Sequence, residues 1–276
     1  FFYSLNNVGM QSSPNIIFCN STINNLIWPA IAQSMHLLGD KVFFLGRDSR
    51  TATKKHSYDS TVPFDVIKEY LKIFNTDFIG SVLLRDQHMK EDLAKAVEEI
   101  KKTNPSFVIC PSTGLTNVDI VNALHEANIV TPVVWTRFEF SHLAFLEKKK
   151  LKTHLFTNSY TRAINTPINK NFINDISSKL GFSQAISTHE VSALSALQLW
   201  SAAVERANSF DTDKVRIALQ DNILIDTPQG PLTLEPSTLY ARKKVVLVKY
   251  NDFGVLEFLW YSPYPLYPEP YPNIRP

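Results

Sequence analysis

The sequence contains few of the residues from which phosphate loops and disulfide frameworks are built. It has 8 glycines and 2 cysteines among 276 residues. It lacks Gly-x-Gly-x-x-Gly, Gly-x-x-x-x-Gly-Lys and Gly-x-Ser-x-Gly patterns, which argues against a nucleotide loop and against serine-hydrolase chemistry. No run approaches eighteen consecutive apolar residues, so the sequence predicts no membrane-spanning helix.

Metal binding and nucleic-acid binding find no support either. The 7 histidines form no i, i+4 pair and there is no Cys-x-x-Cys, so we expect no metal site and no cofactor. A formal charge of +2 is too small to indicate a nucleic-acid partner. Cys19 and Cys110 each lie in a short apolar run that favours a buried strand, and we expect them to remain unpaired.

The first half of the chain alternates between strand-like and helical patterns. Short apolar runs occupy residues 41–46, 78–84, 106–111 and 132–135, and amphipathic segments separate them. This alternation is typical of an α/β fold in which a parallel sheet carries helices on both faces. We therefore predict that these four runs are strands of one sheet.

The second half has a different pattern. Residues 139–150 favour a further helix, and three more are predicted from Asn171, Thr188 and Thr212 onward. Two apolar runs then flank Asn251–Gly254, which predicts a β-hairpin in which Gly254 supplies a positive φ. The tail alternates proline and tyrosine and is interpreted as an ordered, extended strap.

One loop has the pattern of a binding site. Ser112, Thr113 and Gly114 follow a predicted buried strand and precede a helix that begins near Asn117. Ligands of open α/β sheets bind at such carboxyl strand ends, where hydroxyls and free N–H groups converge. The alternative is that these residues serve as ordinary turn and cap residues. For Glu190, a capping box with Ser187 is favoured over a role in binding.

Two stretches carry a resemblance to a known family. Residues 1–31 resemble an opening segment of that family, with Ser12, Ser13, Pro14, Asn15, Asn24 and Pro29 in register. Residues 199–219, with 226–236 and the closing YPEPYP, are similar to its later helices and terminal segment. The family is the urea and short-chain amide-binding branch of the type I periplasmic binding proteins.

This resemblance implies two Rossmann-like lobes joined by a hinge. Residues 1–23 and 158–221 are then a partial first lobe, 24–157 and 222–262 a complete second lobe, and 263–276 a Pro/Tyr-rich tail. About a hundred residues of the first lobe are expected to be absent, the size of three βα units. Residues 1–276 alone are therefore expected to bind nothing measurable.

The resemblance also implies a function. We expect a receptor that closes its lobes around a small polar solute, such as urea, an amide or an amino acid. It would serve an ABC permease or a sensor in the periplasm or another extracytoplasmic space. The alternatives are a degenerate scaffold that acts as a protein-interaction or regulatory module, for which a cytoplasmic location is also open, and, third, an enzyme of the same doubly wound class. No enzymatic activity, nucleic-acid partner or membrane span is expected.

The family's pocket can be placed on this sequence residue by residue. Ser49 and Thr51 stand where aromatic residues of the family line the amide pocket, and Glu139 lies near the position of an acidic cluster. Loss of ring faces enlarges a pocket and removes a clamp for planar amides, so we expect weak binding of urea and tighter binding of something larger. The expected ligand-binding wall comprises Ser49, Thr51, Ser112, Thr113, Gly114, Thr136 and Glu139.

Overall fold

A computed structural model describes residues 1–5, 11–48, 61–181 and 186–271 of the chain. The chain forms two compact units. Unit 1 contains Phe1–Asn25, Ser159–Val246 and the described residues from Tyr261 onward, and unit 2 contains Leu26–Asn158 and Leu247–Trp260. Each unit has its own sheet.

Unit 2 is built on a seven-stranded sheet in the order β12-β11-β7-β6-β5-β3-β4. Its central strands are almost entirely apolar and buried, as expected of strands covered on both faces. The strands are β3 (Val42–Asp48), β4 (Phe78–Arg85), β5 (Phe107–Cys110), β6 (Val133–Trp135), β7 (His154–Asn158), β11 (Val246–Tyr250) and β12 (Leu256–Tyr261).

Five of these strands run parallel from β4 through β3, β5 and β6 to β7, with one register shift between β3 and β4 at Val42 and Phe43. Each of the four apolar runs chosen from the sequence coincides with one of them to within one residue at the start of the run, so the prediction of one shared parallel sheet is confirmed. The chain adds β4 on one side of β3 and β5 on the other. The strand order therefore reverses at β3, which is the topological switch point of such sheets.

The helices of the first half are α1 (Ile23–Leu38), α2 (Thr61–Ile73), α3 (Met89–Thr103) and α4 (Thr116–Glu126). The helix predicted over residues 139–150 is wrong in type, because two short 3-10 segments, Phe140–Phe145 and Lys148–Leu151, take its place. Aromatic packing explains this difference. Phe138 and Phe140 both contact Phe156, a pairing of residues two apart that one α-helical face does not present.

Unit 1 contains a five-stranded sheet in the order β1-β2-β10-β9-β8. β1 and β10 each pair with β2 in parallel, whereas β9 pairs with β10 and β8 in antiparallel fashion. The strands are β1 (Phe2–Tyr3), β2 (Ile17–Phe18), β8 (Ile225–Thr227), β9 (Gly230–Glu235) and β10 (Tyr240–Arg242).

Three helices complete unit 1: α5 (Pro167–Leu180), α6 (Thr188–Ala207) and α7 (Thr212–Leu219). α6 and α7 pack on the sheet through small and branched apolar residues such as Ala196, Leu199 and Leu219. The start of α6 confirms the favoured interpretation of Glu190. Its carboxylate accepts the backbone N–H of Ser187 in a complete capping box.

The unit boundaries differ from the expected lobes at residues 222–246. These residues were expected in the second lobe, but β8, β9 and β10 extend the sheet of unit 1. The reason is strand pairing: β10 joins the distant β2 in parallel, and the tight turn at Gly230 folds β9 back on β8. Gly230 has a φ of +109°, which favours glycine there.

Two smaller expectations concern the end of the chain and the thiols. β11 and β12 flank a turn in which the N–H of Gly254 donates to the Asn251 carbonyl, and the positive φ of Gly254 is present, so the predicted hairpin is confirmed.

Residues 262–271, called the strap below, are bonded to Val245 and Asn25. Cys19 and Cys110 are both free and buried.

Candidate functional site

The candidate site lies at the carboxyl edge of the parallel sheet of unit 2. The loops that follow β3 and β5 flank the switch point, where the strand order reverses, and ligands of open α/β sheets generally bind outside such a point. The loop after β3 contains Ser49 and Thr51, which lie outside the described residues. The loop after β5 contains Ser112, Thr113 and Gly114.

The loop after β5 is buried where it leaves the strand and becomes exposed further along the chain. Ser112 is fully buried, Thr113 is half-buried and engaged in an interaction, and Gly114 is exposed with a φ of +69°. Among the described residues, none lies within 4 Å of the position that a Cβ of Gly114 would take. The carbonyl of Gly114 accepts the N–H of Asn117 in the turn that starts α4.

The next two strands bring two threonines together. Trp135 of β6 is in register with Phe156 of β7, so the residues that follow, Thr136 and Thr157, are also level. Neighbouring strands are about 4.8 Å apart and residues in register share a face. Both side chains are buried, and neither hydroxyl has a hydrogen-bond partner among the described residues. One oxygen placed between them could bond to both.

More polar groups without partners belong to the segments that follow β5 and β6. Both amide atoms of Asn117, the Ser112 hydroxyl and Nδ1 of His142 have no hydrogen-bond partner in the described part of the chain. Each of these side chains is at least nine-tenths buried. A buried polar group without a partner costs about 1–3 kcal/mol, and native proteins rarely collect several such groups. Because these residues follow or end the adjacent strands β5, β6 and β7, this edge is a candidate for binding polar groups of a ligand.

The loop after β6 is held in place by its aromatic residues. The carbonyl of Phe138 accepts Nδ2 of Asn158 at 3.2 Å, and the Phe138 ring meets the imidazole of His142 edge-on. Burial lowers the pKa of His142 below its ordinary value, so the imidazole is neutral at pH 7. Glu139 is half-buried, and its carbonyl accepts the N–H of His142.

Trp135 belongs to the core and does not face the edge. Its ring is fully buried, and Nε1 donates to Nδ1 of His154 at 2.8 Å. Burial lowers the pKa of His154 to about 3, so this imidazole stays neutral and accepts the bond. Trp28 and Trp200 are partly exposed, although their apolar surroundings in the sequence favour a core position.

The chemistry of the edge is neutral and versatile. Hydroxyl and carboxamide groups each donate and accept hydrogen bonds, so they suit hydroxyl, amide and carboxyl groups of a small solute. The sequence indicated Ser112 and Thr136 through their places after strands. It missed Asn117, interpreted there as a helix start, and Thr157, which lies inside the short strand-like run of residues 154–158. For Thr157, the sequence offered one sign of a binding role, namely a polar residue in an otherwise apolar strand. Such a residue has many other causes.

No group of three His, Cys, Asp or Glu side chains in the described parts of the chain has a metal-binding arrangement. Among the described helices, none combines the length and apolar character needed to cross a bilayer.

Comparison with known proteins gives one family match. A family model described as a periplasmic binding protein domain matches residues 1–276.

Similar solved structures include three binding proteins of ABC transporters. An amino acid ABC transporter substrate-binding protein from Pseudomonas fluorescens Pf-5 has a TM-score of 0.83 at 12% identity, covering 98% of this chain and 72% of its own. A branched chain amino acid ABC transporter ligand-binding protein from Burkholderia xenovorans LB400 has a TM-score of 0.79 at 15% identity, with 96% and 70% covered. A Rhodopseudomonas palustris solute binding protein in complex with 4-hydroxybenzoate has a TM-score of 0.76 at 16% identity, with 92% and 68% covered.

Proposed function

Since this chain belongs to the periplasmic binding protein family, we propose that it is a receptor that binds a small polar solute at the carboxyl edge of the unit 2 sheet. The family and the similar structures are solute-binding proteins that have no enzymatic function. Proteins of this kind bind small ligands and work with ABC permeases, typically in the periplasm or another extracytoplasmic space. Delivery to a permease or a sensor is accordingly part of the proposal.

One observation carries the proposal. Buried hydroxyl, amide and imidazole groups without partners in the described chain gather after β5 and β6 and at the end of β7. A bound solute that offers matching donors and acceptors would recover much of their desolvation cost. The same groups would discriminate against an apolar solute of equal size, which would leave them unpaired.

The proposed ligand is larger than urea. The resemblance places Ser49 and Thr51 where the urea and amide branch has aromatic side chains, and small hydroxylated residues provide less apolar contact. A ligand with few atoms depends strongly on such contacts for its affinity. Amino acids and small peptides are therefore better candidates than urea or acetamide, and membership of the urea and amide branch is itself part of the proposal.

We further propose that units 1 and 2 are the two lobes of the type I fold and that unit 1 is a partial lobe. The similar structures extend beyond the matched region, because this chain covers 65–72% of their length. Unit 1 also exposes large apolar side chains beside the edge strand β1, with Phe1 78% and Phe210 80% exposed. A groove of about 290 Å³ lies there. Additional chain packed on this surface would explain its apolar character.

Calorimetry with a panel of solutes tests the proposed function. Urea, acetamide, amino acids and short peptides are titrated into the full-length protein, and the tightest ligand is then titrated into Thr136→Val and Thr157→Val. Each substitution removes one hydroxyl at nearly constant volume, so each is expected to weaken binding about three- to tenfold.

Thr153→Val is the matched control, because Thr153 precedes β7 at the opposite end of the same strand. Its affinity should equal that of the unmodified protein. Tight binding of urea would contradict the placement of Ser49 and Thr51 at clamp positions. Absence of binding to every solute in the panel would instead favour a scaffold without a functional cleft.

A further inference from the structure

Lys243 is the unusual charged residue of unit 1. It follows β10 and is 1% exposed, which places it among the largest fully buried side chains of the described residues. A buried ammonium group is costly unless it is paired, and lysine is almost never fully buried without a partner charge. Its burial therefore calls for a specific physical reason.

The immediate partner of the amine is an uncharged hydroxyl. Nζ of Lys243 donates to Oγ of Ser192 on α6 at 2.8 Å, and Ser192 is fully buried. Ser195, one turn further along α6, accepts the side-chain amide of Gln229 at 3.4 Å. The amine thus lies against a hydroxyl-bearing face of α6, and an uncharged amine suits this face better than an ammonium group does.

The titratable groups on the surrounding elements provide no countercharge at neutral pH. Cys19, which follows β2, acts on Lys243 electrostatically, but burial raises the pKa of its thiol to about 12. On α6, Glu190 is bonded within the capping box. The neighbouring Arg242 donates to the carboxylate of Glu235. The other neighbour, Lys244, lies over the ring of Tyr261. Burial consequently lowers the pKa of Lys243 to about 7.

Lys243 also lies where several segments of unit 1 meet. Its carbonyl accepts the N–H of Leu266 in the strap at 2.7 Å. Three residues later the chain leaves unit 1 at Val246, and the segment after Cys19 leaves the unit at Asn25. The strap holds that second segment too, since its Tyr267 carbonyl accepts Nδ2 of Asn25 at 2.9 Å.

We propose that Lys243 is a proton-operated latch, in which the uncharged amine holds α6, β10 and the strap together and protonation loosens the two segments that leave unit 1. The latch is independent of the solute and goes beyond the proposed binding function. It requires no movement of the site in unit 2.

The direction of the effect follows from the protons bound in each state. In an opened or unfolded segment the amine is protonated below about pH 10.5, whereas in the folded unit it is protonated only below about 7. The folded form therefore becomes more stable as pH rises from 7 toward 10.5. Below pH 7 the amine is protonated in both states, and this stabilisation is absent. The thiol of Cys19 opposes the trend above about pH 9, where an unfolded cysteine ionises, so the measurement stops at pH 8.5. The imidazoles of His142 and His154, whose pKa values burial also lowers, belong to unit 2 and not to the segments that are followed.

Hydrogen exchange of the backbone amides tests the latch in the full-length protein. The exchange rates, corrected for the intrinsic rate at each pH, give the equilibrium constant for opening. For residues 20–25 and 243–246 this constant should increase by roughly an order of magnitude from pH 8.5 to pH 6. Lys243→Met fills a similar volume without a titratable group, and it should abolish this pH response. Lys244→Met is the matched control and should retain the response.

A second measurement keeps the test decisive if Lys243→Met fails to fold. Nitrogen-15 NMR of the lysine side chains follows the titration of Lys243 in the unmodified protein, with a midpoint expected near 7 and an exchange response that tracks it. A midpoint above 9, an opening rate that is constant from pH 8.5 to 6, or a response that persists in Lys243→Met would each overturn the proposal.

Discussion

Tyr160 shows how one buried side chain fixes a long connection in unit 1. Its hydroxyl donates to Oδ1 of Asn169 at 3.0 Å, and Nδ2 of Asn169 donates to the carbonyls of Ile164 and Arg162. Both side chains are fully buried. Burial also raises the pKa of Tyr160, so the phenol remains a donor across the physiological range. The network links the segment after β7 to the first turn of α5.

Tyr160→Phe should lower the free energy of unfolding by about 1–2 kcal/mol, because it leaves an acceptor of Asn169 buried and unpaired. Urea denaturation monitored by circular dichroism measures the change. Tyr264→Phe is the control, since Tyr264 is 66% exposed, and it should change stability by less than about 0.5 kcal/mol. Equal stability of Tyr160→Phe and the unmodified protein would show that the hydroxyl makes no net contribution.

The sequence predicts the roles of residues whose partners are close in the chain. It misses roles that depend on how two strands pair. The capping box of Ser187 and Glu190 and the positive φ of Gly254 were predictable because partners lie within four residues of each other. The pair formed by Thr136 and Thr157 depends on the register of β6 against β7, which no local pattern specifies. Asn117 was missed because a polar residue in a first helical turn ordinarily serves the helix itself.

The strap is an element without regular secondary structure that is nonetheless well bonded. Val245 and Ser262 exchange hydrogen bonds at 2.9 Å, and the N–H of Glu269 donates to Oδ1 of Asn24 at 3.0 Å. The hydroxyl of Tyr271 donates to Oγ of Ser12 at 2.8 Å. Prolines remove backbone donors and restrict φ, so the strap stays extended and bonds outward to unit 1.

Removal of residues 263–276 should destabilise unit 1 and expose the segment around Asn24 and Asn25, because these side chains lose their partners in the strap. We expect a lower melting temperature and faster amide exchange over residues 20–25. Removal of residues 272–276 alone is the control and leaves the bonds of Tyr267 and Glu269 intact. If both truncations melted alike, the strap would have no stabilising role.

Among the elements, the parallel strands of unit 2 were predictable and β8 to β10 were not. Buried parallel strands are continuous apolar runs bounded by helical patterns, and all four chosen runs have that form. β8 and β10 have three residues each and contain Asp226 and Arg242. Their patterns are too short to show alternation, and the sheet they join is determined by pairing with distant β2.

The whole molecule combines two units that the chain enters more than once. Unit 1 is assembled from three separate parts of the sequence and unit 2 from two described parts. Residues 222–246 were expected in the second lobe because the family's domain order was applied to the sequence without knowledge of the pairing between β10 and β2. Membership of the family is shown by the match over residues 1–276, whereas the position of the binding site remains a proposal.

The measurement that tests the central claim most directly is methyl NMR of the full-length protein with its threonine γ-methyl groups labelled. The panel solute that binds is added stepwise. We predict that the Thr136 and Thr157 methyl signals shift in proportion to occupancy, while that of Thr153, which precedes β7 at the opposite end of the strand, does not. A solute that binds and leaves Thr136 and Thr157 unshifted would contradict the proposed site.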